Sequence, residues 1–592
     1  MNQQEEKYME ALYRDRSESA DTFEKPSNRT MWRSIVEKYS DQAHFIYELI
    51  QNADDAGATS ARFVLEKERL IFAHNGKRHF SISNPASEDE DSKEGRLGDI
   101  NAITGIAFSN KKTQENKIGK FGVGFKAVFQ YTSTPHVYDP RCRFKIERYI
   151  VPVVLENDYP DRGVDETLFV FPFDNKNTDP VQTYSDIEAK LKTLKYPILF
   201  LGNLASIVYT IGGFTGAYRK RISRDYTFGS DVVEKVSLIK IAPDEEVTTN
   251  LFLFSRITNG LRYSIGYFLD EEDNLIPVKE PAFCYFTTKE QTGLNFLIHA
   301  PFLLTDSREG VRAGIRHNEI MVDLLADLSA DSFRHLISIG TAEGNKYITD
   351  SILDIIPISE DDFAPIGDTS RISFKPIMRR ILAAFSSQRI IPSRDGYVKA
   401  EDAFMVSALG IADLFSDEQV AYICRNPNAK LVFCSIGRDD ISHSNKRLND
   451  YLQQITSGVL NEDNILKNRK IFIRVVSNKN VQGIDEEFIE SQSTEWLHKF
   501  YKWIGDTRRR IDMAKYSPIF LDQDSKAVPA FDADGNHMLY LPIDGVSGYR
   551  TVRKDLISVK ETLEFFENTG INTPSLKDHV YDLCTAIRNS VH

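Results

Sequence analysis

Between Ile46 and Gly57 the chain sets two kinds of residue on two faces of one helix. That pattern constrains the fold more than any other stretch of the 592 residues. Ile46, Leu49, Ile50 and Ala53 recur at i, i+3, i+4 and i+7, the stripe of a helix that buries one side. Glu48, Asn52 and Asp55 recur at i, i+4 and i+7 on a different face. Gly57 follows as a helix stop, since glycine takes the left-handed conformation of a C-terminal cap without strain. A carboxylate and a carboxamide one turn apart suit magnesium–water chemistry. The Asn52 amide oxygen is a ligand for a hard cation, and Glu48 can orient or deprotonate a water aimed at a γ-phosphate.

A second constraint is Ile118-Gly119-Lys120-Phe121-Gly122-Val123-Gly124-Phe125-Lys126, which runs into the helical Ala127-Val128-Phe129. Closely spaced glycines at a helix entrance let backbone N–H groups approach phosphate oxygens, with the helix dipole assisting. Upstream, Leu70-Ile71-Phe72-Ala73 reads as a strand running into the turn His74-Asn75-Gly76.

The string Glu48-Leu49-Ile50-Gln51-Asn52-Ala53-Asp54-Asp55-Ala56-Gly57-Ala58 and the 119–124 glycines resemble the N-box and second glycine motif of the GHKL (gyrase, heat-shock ninety, histidine-kinase, MutL) ATPases. The resemblance is strongest to the sacsin / NO VEIN-like branch. It implies an α/β fold, the α+β (Bergerat) sandwich that binds ATP with Mg²⁺. Glu48 would be the general base, Asn52 the magnesium ligand and Asp55 the acidic residue behind them. The loop Gly119, Lys120, Phe121, Gly122, Val123, Gly124 and Phe125 would hold phosphate. The family's adenine-contacting Asp is missing; His74 or Asn75 stands near its place, beside Gly76, and either could accept the adenine amino proton.

The resemblance makes Asn110–Lys117 the mobile lid, with Lys111 or Lys112 reaching phosphate, and puts Thr167 at the family's late threonine near the base. Further on, Thr305-Asp306-Ser307-Arg308-Glu309 resembles the segment whose arginine reaches the γ-phosphate from the following domain. Arg308 is accordingly the second catalytic candidate, the alternative being a local pair with Glu309.

Chain length calls for several cores. The expected organisation is an N-terminal arm (1–35), the ATP-binding domain (36–203), an S5-like α/β transducer (204–340) and a mixed α/β region of unknown role (341–592). The transducer reading rests on short β-like runs such as Leu251–Phe254, ending in a helix near Asn318. With 41% apolar and 27% charged residues, wholesale disorder is excluded, and no apolar run is long enough to span a bilayer. Five scattered cysteines without a C-x-x-C pair read as reduced thiols in a cytoplasmic protein. A net charge of −13 weighs against a surface that coats nucleic acid.

Three activities are compatible with these residues. The first is an ATPase whose lid and domain closure act on a protein partner, with homodimerisation through the N-domains as in relatives. A chaperone-like role and a prokaryotic antiviral defence role both fit it. The second is a nucleotide-gated scaffold with negligible hydrolysis, and the third a MORC- or MutL-like DNA-associated ATPase.

Overall fold

The computed structural model describes residues 1–25, 45–105, 125–243, 245–305, 308–406, 410–434, 446–466, 481–544 and 548–575, with 580, 584, 587 and 588. It divides into two compact units, one of residues 1–335 and 354–378 and one of residues 336–353 and 379–592.

The first unit is built on a 15-stranded mixed sheet. Its near half consists of β1 (Ser60–Glu66), β2 (Arg69–His74), β3 (His136–Tyr138), β4 (Arg143–Glu147), β5 (Val151–Val154) and β6 (Thr167–Pro172). They lie in the order β1-β2-β6-β3-β4-β5, every pair antiparallel. Alternation along each strand separates two faces. Phe63 and Leu65 of β1, Leu70 and Phe72 of β2, and Phe169 and Phe171 of β6 enter the main core with the helix Phe45–Asp55. Ile71, Ala73, Leu168 and Val170 form a smaller cluster. The apolar stripe behaves as its spacing requires: Ile46, Leu49, Ile50 and Ala53 are all buried, and Gly57 ends the helix at φ +74°.

The arm expected at 1–35 begins with an ordered helix, Gln3–Phe23. It is started by a capping box between Asn2 and Glu5, and it packs on β5 through Met9, Leu12 and Ala20.

The far half of the sheet begins with β7 (Ser206–Ile211), which pairs parallel with β1, so the border expected at 203/204 falls inside one continuous sheet. From β7 the antiparallel ladder runs through β8 (Phe214–Phe228), β9 (Asp231–Ile241), β10 (Glu246–Thr258) and β11 (Leu261–Leu269). The two-residue β12 (Leu275–Ile276) adds to β11, and the edge is completed by β13 (Pro281–Cys284), β14 (Phe286–Gln291) and β15 (Leu297–His299). The helix Arg316–Glu343 follows. Buried Asp231 at the start of β9 ties this layer together, taking Arg256 at 2.5 and 2.7 Å and His335 at 2.9 Å. Burial alone would raise its carboxyl, but the Arg256 guanidinium and the His335 hydrogen bond hold it well below the usual range.

The second unit is mixed α/β. Its five-stranded sheet has Ala403–Val406 parallel to both Lys430–Val432 and Gly458–Leu460, and a core gathered around the helix Thr494–Gly505.

Candidate functional site

The helix Phe45–Asp55 is positioned by Asp54, whose carboxylate accepts the N–H groups of Gly202 (3.0 Å), Asn203 (2.7 Å) and Leu204 (2.7 Å). A single carboxylate thus fastens the C-terminal turn of this helix to the chain entering β7. With the apolar stripe and Asp54 engaged below, Asn52 is left half-buried and lines a cleft against the sheet.

The cleft is open to solvent, and the space within it that admits water-sized molecules is about 30 Å³. Its apolar wall is Ala56, Phe80, Ile103, Phe125 and Phe169; its polar groups come from Asn52, His74, Arg78, His79, Asp99 and Thr167. A cleft walled by aromatic rings and edged by convergent polar groups has the character of a small-molecule site. Strand register explains the grouping. His74 at the end of β2 is the direct cross-strand partner of Thr167 at the start of β6, and β3 pairs with β6 so that Tyr138 faces Leu168, bringing Asp139 beside Thr167. Gly76 closes the edge. A Cβ there would lie 2.8 Å from the Ala56 Cβ and 2.8 Å from His74 Nδ1, so no other residue fits.

The turn His74-Asn75-Gly76 divides its roles. Burial lowers the His74 pKa to about 4, so the ring is neutral, and its Nδ1 accepts the Gly76 N–H at 3.1 Å. The ring proton therefore sits on Nε2, which makes His74 a donor and not the acceptor that the sequence suggests. Asn75 turns elsewhere. Its Oδ1 accepts from Thr59 N (2.9 Å) and Ser60 N (3.0 Å) and its Nδ2 donates to Thr59 Oγ1 (2.9 Å), capping the entry to β1 outside the cleft. Asp55 is exposed and does not line the cleft either.

Glu48 is buried and forms an ion pair with Arg308, so the two catalytic candidates meet although 260 positions separate them in the chain. Glu309 pairs instead with Lys289 at 2.5 Å, which sets aside the local Arg308–Glu309 pair. Arg308 sits at φ +59°, an uncommon conformation for a side-chain-bearing residue, and its N–H donates to the Thr305 carbonyl at 2.9 Å. Buried Asn318 braces the same segment, accepting from Leu303 N (2.8 Å) and donating to the carbonyls of Leu303 (2.9 Å) and Arg312 (2.8 Å).

Lys111, the lid and the loop Gly119, Lys120, Phe121, Gly122, Val123 and Gly124 lie outside the described residues, as do Asp306 and Ser307. Phe125 and Lys126, which follow the loop, are described. Phe125 is in the cleft wall, and buried Lys126 donates to the Gly105 carbonyl, its pKa lowered to about 8 by burial and then by the Arg16 charge.

Two carboxylates, one lining the cleft and one behind it, are not among the candidate site residues of the sequence. Asp99 accepts from Ser81 N (3.1 Å) and Oγ (2.8 Å) and pairs with Arg78. Asp139 is wholly buried behind Thr167 and His79. Among the described residues there is no group of three or more His, Cys, Asp or Glu side chains able to cage a metal. The donor set is compatible with Mg²⁺ if Asn52 supplies an amide oxygen and ligand phosphates and water supply the rest.

The structure is a mixed sheet with the helix that carries Glu48 and Asn52 packed on it beside an aromatic-walled cleft, an α/β arrangement of the kind the GHKL resemblance leads one to expect. Residues 27–142 match the family model described as Sacsin domain. The chain is 27% identical over 360 residues to Protein NO VEIN of Arabidopsis thaliana, covering 54% of this chain and 12% of that protein. It is 29% identical over 115 residues to Sacsin of Homo sapiens, covering 18% of this chain and 2% of that one. The resemblance to the sacsin / NO VEIN-like branch therefore extends over sequence beyond the motifs, while the chain spans a small part of either relative. Among solved structures it is similar to the topoisomerase IV ATP-binding domain of Francisella tularensis in complex with a small-molecule inhibitor, at 16% identity and TM-score 0.22 over 33% of this chain and 58% of that one. It is also similar to the N-terminal domain of a DNA repair protein, at 12% identity and TM-score 0.28 over 49% of this chain and 92% of that one. Among the described residues, no helix is long and apolar enough to cross a membrane.

Proposed function

We propose that this chain binds ATP with Mg²⁺ in the cleft beside the helix Phe45–Asp55 and hydrolyses it, coupling the reaction to the segment that carries Arg308. The observation that carries the reading is the meeting of Glu48 and Arg308 at the end of the helix that presents Asn52. Asn52 holds the metal through its amide oxygen; the ion, when bound, neutralises phosphate charge. Glu48 takes the proton of the attacking water. While paired with Arg308 its carboxylate is engaged, so the guanidinium must turn away before Glu48 can act. The same guanidinium has a second anionic partner in a terminal phosphate, and exchange between the two makes the position of the Arg308 side chain depend on the nucleotide. Such a switch suits action on a protein partner, in a cycle that includes pairing of N-terminal domains.

Replacing Glu48 with Ala tests this. Steady-state phosphate release is lost while ATP titration heats persist; full turnover in Glu48→Ala defeats the assignment. The engagement of Glu48 by Arg308 also favours a second reading, a nucleotide-gated scaffold with negligible hydrolysis. That reading predicts ATP binding by the unaltered protein with no phosphate release above background.

A further inference from the structure

Asp139 is buried to 2% exposure and is not part of the cleft lining, yet it touches two residues that are. Its Oδ1 accepts the backbone N–H of Arg141 at 2.9 Å. Its Oδ2 accepts the Thr167 hydroxyl at 2.7 Å and lies 3.3 Å from His79 Nδ1. A carboxylate can only accept. The Thr167 hydroxyl proton is therefore fixed toward Asp139, and the Thr167 oxygen is left with lone pairs alone. On the neighbouring strand His74 is fixed the opposite way, Nδ1 accepting from Gly76 and Nε2 carrying the proton. The two cross-strand partners thus have opposite hydrogen-bonding sense, Thr167 as acceptor and His74 as donor.

We propose that Asp139, acting through Thr167, is the positioning residue that selects a 6-aminopurine over a 6-oxopurine, in place of the adenine-contacting Asp absent from the 74–76 turn. The inference rests on the ATP-binding reading above. An adenine edge offers a donor at its 6-amino group and an acceptor at ring position 1, which complement Thr167 and His74. An inosine edge offers the reverse, an acceptor at position 6 and a donor at position 1. In the same pose it sets acceptor against acceptor and donor against donor.

The substitution Asp139→Asn reverses the polarity. The Arg141 N–H holds the amide oxygen at the Oδ1 position, so the amide nitrogen takes the place of Oδ2 and donates to Thr167. The Thr167 hydroxyl then turns its proton to the cleft. Calorimetric titration with MgATP and MgITP on the full chain reads the outcome. The unaltered protein binds ATP more tightly than ITP, and in Asp139→Asn the ATP-to-ITP affinity ratio falls by roughly tenfold or more, the scale of one mismatched polar contact. Thr167→Val, which removes the acceptor without disturbing the carboxylate charge, collapses the ratio, and Thr167→Ser restores it. An unchanged ratio in both Asp139→Asn and Thr167→Val overturns the inference, as does equal loss of both nucleotides in Asp139→Asn, the mark of a purely structural role. If the unaltered protein binds neither nucleotide, the ATP-binding reading falls, and this inference with it.

Discussion

At the scale of single residues, the cleft works by fixing where protons sit. His74 is neutral because burial lowers its pKa from 6.5 to about 4, and that neutrality lets Nδ1 accept from Gly76. The cost appears in acid. Between pH 6.5 and 4 the unfolded chain binds a proton at this position and the folded chain does not, so stability falls as pH falls through that window and is flat on either side of it. The loss from His74 alone is about 3 kcal/mol. His299, buried against Phe200 and lowered to about 3, adds a loss of the same sign. Chemical denaturation at pH 7 and pH 4.5 checks this. His74→Asn keeps an acceptor for the Gly76 amide and should lose less stability on acidification than the unaltered protein; an identical loss contradicts the assignment. A local reading of sequence does not find such residues. Asp139 reaches Thr167 only because β3 pairs with β6, and no spacing along the chain announces a partner 28 positions away. Asn75 misled for the opposite reason. It stands where the motif needs an acceptor, but its side chain is the natural cap for the Thr59–Ser60 backbone.

At the scale of elements, periodicity was informative where one helix face meets one sheet face. Ile46, Leu49, Ile50 and Ala53 fill the core as their spacing requires, and the same spacing leaves Asn52 at the cleft. Periodicity could not separate Asp54 from Asp55, because adjacent acids differ only in the direction they face once the chain leading into β7 is in place. Asp54 is the anchor, holding three backbone N–H groups. Asp54→Ala leaves those donors without their carboxylate and should destabilise the first unit by about 3 kcal/mol. Asp55→Ala, at an exposed position, should cost well under about 1 kcal/mol. Thermal or denaturant unfolding distinguishes the two, and equal effects would contradict the anchoring role. The domain border was hidden for a related reason: β7 starts a new stretch of short strands in sequence but adds to β1 in space.

At the scale of the whole molecule, the first unit carries both halves of the proposed chemistry on one sheet system, Glu48 from the helix over β1 and Arg308 from the turn beyond β15. Arg308→Ala should lower ATP turnover roughly hundredfold or more; because it also removes the ion pair to buried Glu48, denaturant unfolding is measured beside turnover to separate lost chemistry from lost stability. Phosphate release at saturating ATP measures this, and unchanged turnover would remove Arg308 from the reaction. The most direct test of the central claim is calorimetric titration of ATP with and without Mg²⁺, on the unaltered chain and on Asn52→Ala. Metal binding by the Asn52 amide requires that Mg²⁺ tighten ATP binding in the unaltered chain and that Asn52→Ala lose most of this gain. No ATP binding by the unaltered chain, or the same Mg²⁺ dependence in Asn52→Ala, would contradict it.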